Sequence, residues 1–223
     1  MTTSHAAHPT SSGRFDLIRS LVLVAALTAH NAASDVVAPG IDTTSLRSLA
    51  TWVQVALFCG ALVGLGCVVW GRTSLRELGW RFDNPGRLVV LGLLLSAALI
   101  GTVFGVYALM AGRDGVLGLW RAVVTMSSEE RLFYFVMGAR NAFIEETLFR
   151  GSLLTALRAR LGGHSAVLIS SAIHASFHRS LDPVPLLVKL VFAIAISAMV
   201  VRTRSLVPGA IAHTLLWAIV GNN

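Results

Sequence analysis

The sequence predicts an all-α fold, a polytopic membrane helix bundle of about seven transmembrane helices with the N-terminus inside. Three observations carry this. Apolar residues make up 55% of the 223 positions and charged residues only 13%, against roughly 25% charge in a soluble domain, whose surface must be solvated. The mean hydropathy is +0.73. The apolar residues also fall into separate runs of a length that suits a bilayer, with arginine-rich linkers between them. Disordered, collagenous and disulfide-stapled classes are excluded by the same composition.

A spanning helix needs roughly 20 mostly apolar residues, because each adds about 1.5 Å toward a hydrocarbon layer of about 30 Å. Residues 1–16 are polar or precede the first run and read as a disordered cytoplasmic tail; 17–223 read as one transmembrane helical domain. Apolar runs follow at about 17–38, 49–70, 88–111, 131–160, 164–181, 184–201 and 205–221. The first is interrupted by His30, Asn31 and Asp35. With Arg14 and Arg19 at its start and Ala32–Ser34 within it, this run mimics a signal peptide, yet it is read as a retained helix. Cys59 and Cys67 share the second run, where they serve as small core residues. No repeat and no extramembrane domain is visible.

The net charge of +7 comes from seventeen Arg and one Lys, scattered between apolar runs. That distribution does not call for a nucleic-acid partner, since cytoplasmic loops of membrane proteins concentrate positive charge. With the N-terminus inside, Arg14, Arg19, Arg72, Arg76, Arg81, Arg87, Arg158, Arg160, Arg202 and Arg204 all fall on one side. The opposite linkers hold Arg47, Arg113, Arg121, Arg131 and Arg179, mixed with acids. The lipid bilayer is therefore the expected partner. The Arg-rich, Lys-poor composition points to a bacterial cytoplasmic membrane.

Ionisable groups within spans are costly and so mark function. The fourth run reads RNAFIEETLFRG and holds Asn141, Glu145, Glu146 and Arg150. Glu146 and Arg150 are four apart with the acid first, the favourable ion-pair order. Glu145 has no such local cation, and a second, adjacent acid exceeds what a structural pair needs; it suits a general acid or base. His174 and His178 are spaced i,i+4 in the fifth run, a spacing that serves either metal ligation or helix–helix contact. His213 lies in the seventh run and Lys189 in the sixth. Counted from the turn near 160–164, Glu145 and His178 both lie at roughly 21 Å, so antiparallel neighbours bring them level.

EETLFR, then a His in the next span, then a His in the last, resembles the CPBP (CAAX protease and bacteriocin-processing, or Abi) intramembrane endopeptidases. Their signature is EExxxR, FxxxH and HxxxN or HxxxD. The resemblance covers about 74–221, including the SLRELGW segment. It implies Glu145, Glu146, Arg150, His178 and His213 as the catalytic set, with Glu145 and His178 activating water. The sequence departs from the signature twice: His174 stands where Phe is usual, and Trp217 where Asn or Asp is usual. Trp217, His174 and Asn141 are thus oxyanion or pocket candidates. The expected activity is hydrolysis of a peptide bond in a membrane-anchored peptide or protein. A zinc ion on His178, His213 and Glu145 is the metal alternative to a metal-free Glu–His mechanism. The rival reading is a catalytically degenerate binding or immunity protein of the same fold, favoured by Trp217. A proton-coupled transporter is opposed by the small size and the lack of an inverted repeat.

Overall fold

The computed structural model describes residues 12–37, 52–53, 56, 75–178 and 182–221. Residues 1–11 of the expected tail, Arg179, and nearly all of the second apolar run with Cys59 and Cys67 lie outside them. Every regular element among the described residues is helical: α1 (Ser12–Val37), α2 (Pro85–Thr125), α3 (Ser128–Glu145), a π-helical segment (Glu146–Leu154), α4 (Thr155–Leu161), α5 (Gly163–Phe177), α6 (Pro183–Thr203) and α7 (Val207–Val220).

The starts are set by local chemistry. Asn84 and Asp182 cap α2 and α6 with their side chains, each followed by a proline in the first turn, where the missing N–H is no loss. Ser127 and Glu130 form a reciprocal capping box on α3: the Ser127 amide donates to Glu130 Oε2 at 2.7 Å and the Glu130 amide to Ser127 Oγ at 3.2 Å. Hydrogen bonding to Ser127, through its side chain first and its backbone second, holds the exposed Glu130 carboxyl below the usual carboxylate range.

Two elements differ from the sequence reading. The third run does not end near residue 111; helix continues to Thr125 across a kink at Gly112, whose φ of 65° is available to glycine without a Cβ clash. The expected 112–130 linker is therefore mostly helix. The fourth run is not one α-helix either. Its centre, from Glu146 to Leu154, widens into π-helix, a form that occurs preferentially at functional sites.

α2 and α6 are long and apolar enough to cross a membrane, while Leu17–Ala29 of α1 and all of α7 are shorter apolar stretches. α7 packs between α2 and α3, α5 packs on α6, and α1 leans on the π segment. Phe149, Leu153, Ile196 and Leu206 form the buried centre of the apolar core. The π segment is pinned from two sides. Ser170 of α5 donates to the Phe149 carbonyl at 3.0 Å, and the Trp80 indole donates to Thr147 Oγ1 at 2.8 Å while stacking on Phe143. Trp80, the last residue of the SLRELGW segment, thereby braces the helix that carries the acids.

Candidate active site

The end of α3 and the π segment place Glu145, Glu146 and Arg150 side by side inside the bundle, all buried. α5 delivers His174 and His178 from one face, and α7 delivers His213. Buried charges must be paired or hydrogen-bonded, and the cluster meets that demand through two linked centres.

The first centre is Glu145. Its Oε2 lies 2.8 Å from His174 Nε2, 3.9 Å from His178 Nε2 and 4.0 Å from His213 Nε2. The His174 ring is held on its other side by Arg150, with Nη2 at 3.2 Å from Nδ1. A guanidinium can only donate, so Nδ1 accepts and the ring proton of His174 sits on Nε2, donating to Glu145. Arg150 Nη2 also reaches the Ala193 carbonyl at 3.4 Å. His174, flanked by the rings of Phe149 and Phe192, is thus a fixed support for the carboxylate. The distances from Glu145 to His178 and His213 are too long for direct hydrogen bonds and short enough for a single water to bridge.

The second centre is Glu146. Its Oε1 takes a hydrogen bond from His213 Nδ1 at 3.1 Å, and its Oε2 lies 3.4 Å from Arg150 Nε. Room for this carboxylate depends on Gly209: a Cβ there would meet Ile196 at 2.6 Å and Glu146 Oε2 at 3.4 Å. With Nδ1 committed to Glu146, the His213 ring presents Nε2 toward Glu145.

Of the residues that sequence pointed to, Glu145, Glu146, Arg150, His174, His178 and His213 form one cluster. Asn141 does not join them. Its Oδ1 is taken by the Arg140 guanidinium at 2.7 and 3.0 Å. Trp217 stands at the edge, its ring 6.3 Å from that of Tyr134, in the wall of a cavity of about 80 Å³. That cavity, walled also by Tyr107, His178, Lys189, Phe192 and His213, has room for a few waters. The His178 side chain is 22% exposed, so the cluster is reachable from this side. Sequence reasoning missed Tyr107 and undervalued His174. The signal for His174 was its i,i+4 relation to His178, which puts both on the face that meets the acids.

Glu145, His174 and His178 offer ligand atoms within 4.8 Å of one another, a spacing that could hold a metal ion. The donor chemistry fits less well. A metal-bound histidine donates its second ring N–H to an acceptor, whereas His174 Nδ1 faces a guanidinium that accepts nothing. His174 as placed is a hydrogen-bond donor to Glu145, with its proton on the nitrogen that would have to ligate.

Residues 127–219 match the family model for Rce1-like proteins, described as type II CAAX prenyl endopeptidase Rce1-like. The cluster lies wholly within the matched residues. The match begins at the Ser127 cap of α3 and ends one residue short of the α7 terminus, so it spans α3, the π segment and α4–α7. It agrees with the CPBP/CAAX protease resemblance carried by EETLFR and the later histidines, over a shorter stretch than 74–221. It supports a protease that resides in a membrane. Comparison with curated proteins and with solved structures gives no match.

Proposed function

We propose that the chain is an intramembrane endopeptidase that hydrolyses a peptide bond in a membrane-associated peptide or protein, using water activated by Glu145 and His178. The observation that carries this reading is the Glu145 carboxylate, fixed by His174 and Arg150 and facing two further histidine nitrogens across gaps that one water can fill. Glu145 takes a proton from that water as it attacks the scissile carbonyl, and His178 orients the water. The tetrahedral oxyanion is met by the Nε2 edge of His213, whose ring Glu146 holds through Nδ1. The Trp217 indole is the second donor. Glu145 then returns the proton to the leaving amine. No step needs a metal.

The bundle is proposed to lie in the bacterial cytoplasmic membrane with seven spans and the N-terminus inside, as the arginine distribution favours. The rival, a catalytically degenerate binding or immunity protein, draws on Trp217. Its bulk at the cavity wall occupies the place of a small Asn or Asp. Peptides released from membranes bearing the wild-type protein or Glu145→Gln, compared by mass spectrometry, separate the two. The enzyme reading expects cleavage products in the wild type alone. Identical peptide profiles with full biological function in the variant would leave the binding protein.

A further inference from the structure

A second cavity, of about 310 Å³, lies at the opposite end of α6 and α7 from the active-site cavity. Its wall includes Arg81, Arg150, Arg158 and Arg204, with Glu77 as the one acid. These arginines come from the segment after the 75–79 turn, the π segment, α4 and the end of α6, so folding, not sequence proximity, gathers them. Four cations around one space repel one another, and a bound anion relieves that repulsion. Glu146 compensates Arg150 at 3.4 Å. Even so, the buried Arg150 Nη1 has no hydrogen-bond partner among the described residues.

The wall is rigidly built. Leu206 N donates to the Gly79 carbonyl at 2.9 Å and Ser205 Oγ to the Arg81 carbonyl at 2.7 Å, which staples the 75–81 turn to the start of α7. Gly151 lets the Leu78 carbonyl approach the π segment, where a Cβ would meet it head-on. Arg204 takes a left-handed conformation with φ 55° as α6 ends, and its amide bonds Val200 O at 2.8 Å. The backbone positions of Arg81 and Arg204 are therefore set in advance, which lowers the ordering cost of a ligand. Arg81 Nε is occupied by the Arg76 carbonyl at 3.3 Å, while several guanidinium groups around one cavity carry enough donors for the acceptor oxygens of a phosphate.

We propose that this cavity binds a phosphate group, supplied either by an anionic lipid headgroup or by free phosphate. Because Arg150 belongs both to this wall and to the Arg150–His174–Glu145 chain, the bound group would sit next to the support of the active site. The site does not depend on the peptidase reading, and its test reads stability, not cleavage.

The test uses the full chain purified in detergent and in nanodiscs. Thermal unfolding is followed with inorganic phosphate against chloride at equal ionic strength, and in phosphatidylglycerol-containing against pure phosphatidylcholine discs. The wild type should be stabilised in at least one arm. The exposed double variant Arg158→Gln/Arg204→Gln should bind about tenfold more weakly or not at all. The control Arg87→Gln/Arg202→Gln, which removes exposed arginines outside the wall, should respond like the wild type. A response to inorganic phosphate assigns the free anion; a response to phosphatidylglycerol alone assigns the lipid headgroup. No stabilisation in either arm, or equal stabilisation of wild type and Arg158→Gln/Arg204→Gln, overturns the proposal.

Discussion

Arg150 Nη2 lies 3.2 Å from His174 Nδ1, and the opposite nitrogen of the same ring lies 2.8 Å from Glu145 Oε2. A cation, a neutral ring and an anion are thereby joined in one line inside the bundle. His174→Phe installs the residue usual in CPBP signatures but removes both bonds, leaving buried polar atoms without partners. It should cost about 1–3 kcal/mol of stability, the penalty for an unsatisfied buried group. Thermal unfolding of the purified variant reads this. An unchanged melting temperature would show that the line is not structural.

Helix placement was legible in the sequence wherever an apolar run is bounded by turn chemistry. Pro183 and Arg204 bracket α6, and Gly162 separates α4 from α5, as the 184–201 and 164–181 runs implied. Counting from the 160–164 turn sets Glu145 and His178 level, and their Oε2 and Nε2 atoms lie 3.9 Å apart. The π segment was not legible, because EETLFRGSLL fits i→i+4 as well as i→i+5 bonding. The choice is made by tertiary partners such as Ser170 and Trp80. Nor could spacing decide which of His174 and His178 touches Glu145. That depends on the rotation of α5 against the π segment, which Arg150 and the Phe149 ring settle.

Trp217 separates catalysis from occlusion. Trp217→Phe keeps the bulk and deletes the indole donor. If that donor meets the oxyanion, turnover should fall on the order of 10²–10³-fold, whereas Trp217→Asn should keep or improve it. Steady-state cleavage rates of both variants check this. Equal rates for Trp217→Phe and the wild type would remove Trp217 from the oxyanion site.

Chelation tests the donor argument at His174. Because its Nδ1 faces a guanidinium, exhaustive treatment with a zinc chelator should leave cleavage unchanged, and purified active protein should carry no stoichiometric zinc. Activity lost on chelation and restored by zinc would show that Arg150 moves away and that Glu145, His174 and His178 close on an ion.

The α3 cap anchors the helix that ends in Glu145. Ser127→Ala should lower stability by about 1 kcal/mol. The lowered pKa of Glu130 also gives this cap a pH dependence with a definite sign. A carboxylate favoured in the folded state contributes above its ordinary range and loses that contribution as pH falls through the folded value. The stability gap between wild type and Ser127→Ala should therefore narrow on acidification. A gap that widens would contradict the capping geometry.

The most direct measurement is a double-mutant cycle on Glu145 and His178, read as cleavage of a membrane-anchored substrate by reconstituted protein. Glu145→Gln removes the proton acceptor at nearly constant shape and should cost at least about 10²–10⁴-fold. His178→Ala should be of similar severity. If the two hold one water, the double variant is little worse than either single variant, because groups that act as a unit are not additive. Losses that multiply would assign the two residues to separate steps, and full activity in Glu145→Gln, with the fold intact, would contradict water activation by Glu145 outright.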